Sequence, residues 1–220
     1  MEKIKALVFD MDGLLIDSER IVQRAWKEAG AALGYAGIEE HIYPLLGANV
    51  KRRVEYFREN FGEDFPLESF NEWNRNAFYR IVEEEGLPLK PGVVSLIERA
   101  KARGLKIGLA TSSRQEYARD ALSRVGIWDY FDDGVFGDQV TKAKPDPEIY
   151  LLACEKIGIE PKNALALEDA PAGIRAAVSA GMSVVMVQDL VQPDEDIQKL
   201  YYKKVETLLD VIPLLDELCD

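Results

Sequence analysis

FDMDGLLIDSE, residues 9–19, sets two carboxylates, Asp10 and Asp12, at the end of the apolar run IKALVF at 4–9. Such a run has the character of a buried strand. Carboxylates one residue apart repel each other, and burying them is costly without compensating positive charge. The stretch therefore demands a counter-charge, either from a distant part of the chain or from a cation in solution. Asp17 and Glu19, close behind, sharpen the demand.

Working outward, four more short apolar segments read as strands: residues 106–110, 134–136, 164–167 and 183–187. Helical patterns punctuated by glycine and proline separate them. Pro91 and Gly92 open one with Val93, Leu96, Ile97 and Ala100 on a single face, and Gly104 closes it. Others span 114–125, 147–157 and 172–180. This alternation predicts an α/β fold, a Rossmann-like parallel sheet with helices on both faces. The rhythm fails between Asp17 and Leu87, where the pattern is helical and rich in aromatics: Trp26, Tyr56, Phe57, Phe70, Trp73, Phe78 and Tyr79. The reading is a core domain of residues 1–15 and 88–220 with an inserted all-helical domain of residues 16–87. The aromatics read as helix-packing core. A last helix is expected through 205–218.

Composition narrows the function. The 220 residues are 47% hydrophobic and 30% charged, an ordinary globular balance with room for one sizeable core and an inserted lobe. The formal charge of −12 argues against nucleic acid as a partner, because phosphate neutralisation needs an excess of Lys and Arg. It leaves open a small phosphorylated ligand bound at a local positive site. No apolar run reaches the length of a membrane span, and the first ten residues lack a signal-peptide core. Two widely separated cysteines, Cys154 and Cys219, suit a reducing compartment, so a cytoplasmic protein is expected. A monomer is the working expectation. With His41 as the single histidine, a Ser-His-Asp triad or a multi-histidine zinc site has nothing to build on. A metal here should have oxygen ligands, which points to Mg²⁺.

Parallel strands joined by right-handed crossovers share a C-terminal edge, where open α/β sheets bind ligands. The residues just past each strand end can therefore be collected. They are Asp10 and Asp12, then Thr111 and Ser112 in GLATSS, Lys144 in TKAKPDP, and Glu168 and Asp169 in LALEDAPAG. Four carboxylates against one lysine call for a divalent cation, and the set suggests phosphoryl chemistry.

In order and placement, DMDGLLIDSE, TSS, KPDP and ED resemble the four motifs of the haloacid dehalogenase superfamily. The helical insert resembles the cap of its β-phosphoglucomutase-like branch. The resemblance implies Asp10 as the nucleophile that forms an aspartyl-phosphate and Asp12 as the acid–base residue. It implies that Thr111, the Ser112 backbone and Lys144 bind phosphate. Mg²⁺ would be held by Asp10, the backbone carbonyl of Asp12, and Asp169, with Glu168 acting through water. Gly13 would let the backbone turn beside the phosphate. The expected activity is a Mg²⁺-dependent phosphatase acting on a small phosphorylated metabolite, a sugar or polyol phosphate, with the cap as a lid.

A phosphomutase is the rival. β-Phosphoglucomutases carry a histidine in the first cap segment that helps control the acid–base aspartate, and an arginine in the next cap loop. Val22 and Val50 take those places here, although Arg52 and Arg53 are close by. A non-catalytic binding protein of the same fold is a third reading.

Blander readings accompany each residue. Asp12-Gly13 is also a common turn pair. Thr111, Ser112 and Ser113 are N-cap candidates for the helix after them, as are Asp17 and Ser18 for the first inserted helix. Lys142 competes with Lys144, and the family pattern of lysine immediately before proline selects Lys144. Glu168 and Asp169 would suit a helix dipole, which leaves unexplained why an apolar strand delivers them to the shared edge. His41 reads as a surface or interface residue, Cys154 as buried packing, and Lys51, Arg52 and Arg53 as a solvated helix face. Arg24 and Arg75 are open candidates for substrate contact.

Overall fold

The computed structural model describes residues 3–45 and 50–219. The chain forms two compact units, Met1–Ile16 with Leu89–Asp220, and Asp17–Pro88.

The first unit is built on six parallel strands: β1 (Ala6–Phe9), β2 (Lys106–Thr111), β3 (Asp133–Phe136), β4 (Ala164–Glu168), β5 (Ser183–Val187) and β6 (Lys203–Val205). Their spatial order is β3-β2-β1-β4-β5-β6. The chain winds outward from β1 to β3 on one side, then returns to β4 on the other. The resulting switch point, at β1 and β4, is where an open α/β sheet forms its ligand crevice. β1 pairs in register with both neighbours, Phe9 lying opposite Leu109 and Leu167.

The α-helices among the described residues are α1 (Ser18–Leu33), α2 (Val50–Phe61), α3 (Leu67–Glu85), α4 (Val93–Ala102), α5 (Gln115–Arg124), α6 (Glu148–Lys156), α7 (Pro171–Ser179), α8 (Glu195–Gln198) and α9 (Val211–Leu218). On one sheet face Ala6, Val8, Ala110, Ala164 and Ala166 pack with Ile149, Tyr150 and Ala153 of α6 and with Ile174 and Ala177 of α7. Leu7, Phe9, Leu109, Leu165 and Leu167 alternate with them and are as fully buried, because successive strand side chains point to opposite faces. Both faces are therefore covered, and this explains why β1 and β4 read as unbroken apolar runs.

The end of the chain differs from the expected single helix. Residues 203–205 form the edge strand β6, which pairs with β5. A short 3₁₀ turn, Leu208–Asp210, then precedes α9. Thr207 and Asp210 form a capping box that starts this turn afresh. Two of the three β6 residues are exposed lysines, as suits an edge strand, and they carry no apolar period to announce it.

The second unit packs α1 against α3 and against the 3₁₀ segment Ile38–Leu45. Its core holds Trp26, Phe57, Phe65 and Phe70. Phe57 stacks on Phe65 at 4.8 Å between ring centroids, and Trp26 lies 5.2 Å from Phe70. Not every aromatic joins this core as expected: Trp73 and Tyr79 are exposed. His41, expected at a surface or interface, is half-buried, with Nδ1 2.8 Å from the Tyr56 hydroxyl. Residues 46–49 and the side chains of Val50 and Lys51 lie outside the described residues, so the expectations for those two positions stand untouched.

Candidate active site

The site is assembled from strand ends of the first unit. Asp10 follows β1 directly and Glu168 closes β4, with Asp169 next to it. Lys144 lies in the connection from β3 to α6, and its side chain reaches back to the strand ends. Its ammonium donates to Asp10 Oδ1 at 2.6 Å, to Glu168 Oε1 at 2.6 Å and to the Ala110 carbonyl at 3.0 Å. The Tyr150 oxygen lies 3.5 Å from the same nitrogen, so more acceptors surround the ammonium than its three N–H donors can serve at once. Lys142 instead is exposed and approaches Asp146 at 3.4 Å.

Asp10, Lys144, Glu168 and Asp169 are all buried. Burial pushes the Asp10 carboxyl up to about 7 against the pull of Lys144, and Glu168 and Asp12 add repulsion. Burial also disfavours the charged lysine, but the carboxylates of Asp10 and Glu168 reverse this and hold Lys144 above the ordinary lysine range. One lysine thus faces three buried acids, and the balance calls for further positive charge. Asp10, Glu168 and Asp169 each place a carboxylate oxygen within 4.8 Å of the others. A buried, all-oxygen donor set of this kind fits a hard divalent cation such as Mg²⁺.

Sequence reasoning overlooked Tyr150. This fully buried α6 residue donates its hydroxyl to Glu168 Oε1 at 2.6 Å, and its ring lies 5.0 Å from the Lys144 ammonium. Burial and the nearby Glu168 and Asp10 charges keep its phenol pKa well above the usual value, so it remains a donor. Glu168 also lies hard against Gly173 of α7, where a Cβ would collide with its carboxylate. Gly13 has φ +84° and donates its N–H to the Ile16 carbonyl at 3.0 Å. A side chain there would meet both the left-handed backbone and the Asp169 carboxylate.

Asp12 is oriented separately. Its Oδ2 accepts from Ser113 Oγ at 2.7 Å and its Oδ1 from the Tyr117 hydroxyl at 3.3 Å. Thr111 is buried, and its Oγ1 accepts the Ser113 N–H at 3.1 Å, while Ser112 is exposed beside it. The expected capping role goes to another residue. The Gln115 N–H at the start of α5 is taken by Asp138 Oδ1 at 3.1 Å. The loop before α5 is also pinned from the β3 side, where Gly137 donates to the Ser113 carbonyl at 2.9 Å and packs on the Ser112 backbone. In the second unit, Asp17 precedes α1 without capping it and instead pairs with Arg20 at 2.6 Å. Arg24 pairs with Glu85 at the surface. No helix among the described residues is long and apolar enough to cross a membrane.

A family model described as haloacid dehalogenase-like hydrolase matches residues 4–181. The chain is 34% identical over 183 residues to a phosphorylated carbohydrates phosphatase of Thermotoga maritima, spanning 81% of this chain and 82% of that protein. CbbY from Rhodobacter sphaeroides, solved as a mutant in complex with xylulose-(1,5)bisphosphate, has a similar structure. It superposes with a TM-score of 0.80 at 27% identity, over 94% of this chain and 96% of that one. A β-phosphoglucomutase structure from Clostridium difficile gives a TM-score of 0.79 at 26% identity, over 98% and 97%.

Proposed function

The chain belongs to the haloacid dehalogenase-like hydrolases, and on that premise we propose that it is a Mg²⁺-dependent phosphatase of a small phosphorylated sugar or polyol, working through an aspartyl-phosphate on Asp10. It is a phosphoric monoester hydrolase by family and by the phosphatases it resembles. The observation that carries the finer reading is the buried contact of Lys144 with Asp10 beside the Asp10–Glu168–Asp169 oxygens. The carbohydrate phosphatase and the bisphosphate-bound CbbY support the substrate class.

In this mechanism Lys144 favours the ionised form of Asp10 against the effect of burial, and an Asp10 carboxylate oxygen attacks phosphorus as the ester P–O bond breaks. Asp12 gives its proton to the leaving oxygen. It then takes a proton from the water whose oxygen attacks the phosphorus of the acyl phosphate, which frees Asp10 and inorganic phosphate. Asp10, Glu168, Asp169 and the Asp12 carbonyl would hold Mg²⁺, which when bound offsets negative charge on the phosphoryl group. Thr111, the Ser112 backbone and Lys144 bind phosphate oxygens. Residues 16–87 serve as the cap that selects the substrate, and 1–15 with 88–220 as the catalytic core. The enzyme acts as a cytoplasmic monomer.

Phosphomutase activity is the second reading, favoured by the β-phosphoglucomutase likeness. Against it, Val22 packs against the aromatic core of the helical unit where mutases of this branch carry a histidine. A phosphate-release panel of sugar, polyol and nucleoside monophosphates tests both readings. We expect release that requires Mg²⁺, stops in EDTA and is abolished by Asp10→Asn. Activity surviving Asp10→Asn would remove the nucleophile. Conversion of a hexose 1-phosphate to its 6-phosphate would replace the phosphatase by the mutase.

A further inference from the structure

We infer that Ser113 and Tyr117 are positioning residues for Asp12, and that this chain controls its acid–base carboxylate from the first turn of α5 and the loop before it. The inference rests on the assignment of Asp12 as acid and base. Its geometric basis is one hydroxyl on each carboxylate oxygen, Ser113 Oγ on Oδ2 and Tyr117 on Oδ1. Two donors on the two oxygens fix the plane of the group as well as its position, which a single hydrogen bond cannot do. They also come from one rigid source. Tyr117 lies in the first turn of α5 and Ser113 in the loop that leads directly into it, and their hydroxyls converge on the one carboxylate. The Ser113 backbone is itself clamped: its N–H donates to Thr111 Oγ1, and its carbonyl accepts from Gly137.

This arrangement bears on the choice of acceptor. Where a cap residue orients the acid–base group, its readiness depends on what the cap has bound. Here two hydroxyls of the catalytic unit hold Asp12, and Val22, in the place of the mutase histidine, has no polar group. An orientation supplied by the catalytic unit suits water, the acceptor of a phosphatase.

Leaving-group dependence tests the inference. An aryl phosphate such as p-nitrophenyl phosphate expels a stable anion and needs little protonation, whereas an alkyl phosphate such as a polyol phosphate needs the acid. Proton transfer by a positioned group contributes about 10²–10⁴-fold. Ser113→Ala with Tyr117→Phe should forfeit about 10-fold to 100-fold of that in kcat for phosphoenzyme formation from the alkyl ester. Single-turnover phosphoenzyme formation from the aryl ester should change far less, and KM little for either. Ser113→Thr, which keeps the hydroxyl, should recover most of the loss when Tyr117 is intact. Equal losses on both esters, an effect confined to KM, or no loss at all would overturn the inference. Asp12→Asn separates it from its premise. If Asp12→Asn is inactive on the alkyl ester while the double variant is wild-type, the positioning role alone fails. If Asp12→Asn is fully active, the acid–base assignment fails with it.

Discussion

Where its parallel strands end, the α/β unit buries Asp10, Lys144, Glu168 and Asp169, whereas the helical unit fills its interior with Trp26, Phe57, Phe65 and Phe70. The helical unit keeps ion pairs such as Arg24–Glu85 and Arg80–Glu28 at its surface. Ring packing is non-directional and cumulative, so losing one ring costs in proportion to the void it leaves. Buried charge is conditional: each member is tolerable only while its partner is present. The α/β unit has therefore accepted a liability in its core, and the liability makes chemical sense only if those charges act on something.

Lys144→Met should break the comparison most severely. It keeps the stem and removes the charge, leaving Asp10 and Glu168 buried together without their shared donor. Breaking a buried pair from one side costs about 3–5 kcal/mol, and turnover should vanish with it. The check is a thermal melt in EDTA and in excess Mg²⁺. A cation that supplies part of the missing charge should recover part of the lost stability, and should do so more in the variant than in the wild type. A variant that melts like the wild type in EDTA would show that the lysine is not holding the acids.

Trp26→Ala attacks the other kind of core. The ring is 3% exposed and packs on both Phe57 and Phe70. Its removal should cost about 3–5 kcal/mol by cavity formation. Here Mg²⁺ should stabilise the variant by the same increment as the wild type, because the carboxylates proposed to hold the cation, Asp10, Glu168 and Asp169, all belong to the α/β unit. A Mg²⁺ response lost together with Trp26 would mean that the two cores are not energetically separate.

The two regions also differed in how far they could be read. An apolar run ending in an acid is a one-dimensional signal, so the ends of β1 and β4 could be collected before any coordinates, and the structure places Asp10, Lys144 and Glu168 in contact. What escaped depends on three-dimensional aim. Tyr150 sits in an ordinary amphipathic helix, and only the docking of α6 on the sheet turns its hydroxyl onto Glu168. Ser113 looked like a helix cap, yet Asp138 from beyond β3 fills that place and leaves the serine hydroxyl for Asp12. β6 is too short and too lysine-rich to carry a period. In the helical unit the aromatic content signalled a core, but not which rings enter it. Trp73 and Phe70 are three residues apart on α3, and one is exposed while the other is buried. His41 finds Tyr56 fifteen residues away, a contact that no local pattern announces.

The smallest effect is expected where the helical unit looks best connected. Arg24 makes two short hydrogen bonds to Glu85, and Arg80 two to Glu28 and a third to Glu84. By distance these rival the Lys144 contacts, so geometry alone would rank them as equals. Solvent decides otherwise: their side chains are about half exposed, water competes for every donor, and ordering two long side chains costs entropy. The hydrogen bond from Arg24 does hold the Glu85 carboxyl below its usual range. A depressed carboxylate pKa adds stability above the unfolded value, and that stability is lost as pH falls through the folded one. The pair's small contribution should accordingly fade on acidification, and salt should screen it at neutral pH. Arg24→Ala and Arg80→Ala should leave the melting temperature at pH 7 and moderate salt within experimental error of the wild type. A drop approaching that of Lys144→Met would mean that bond length, rather than burial, sets the worth of a charge pair in this protein.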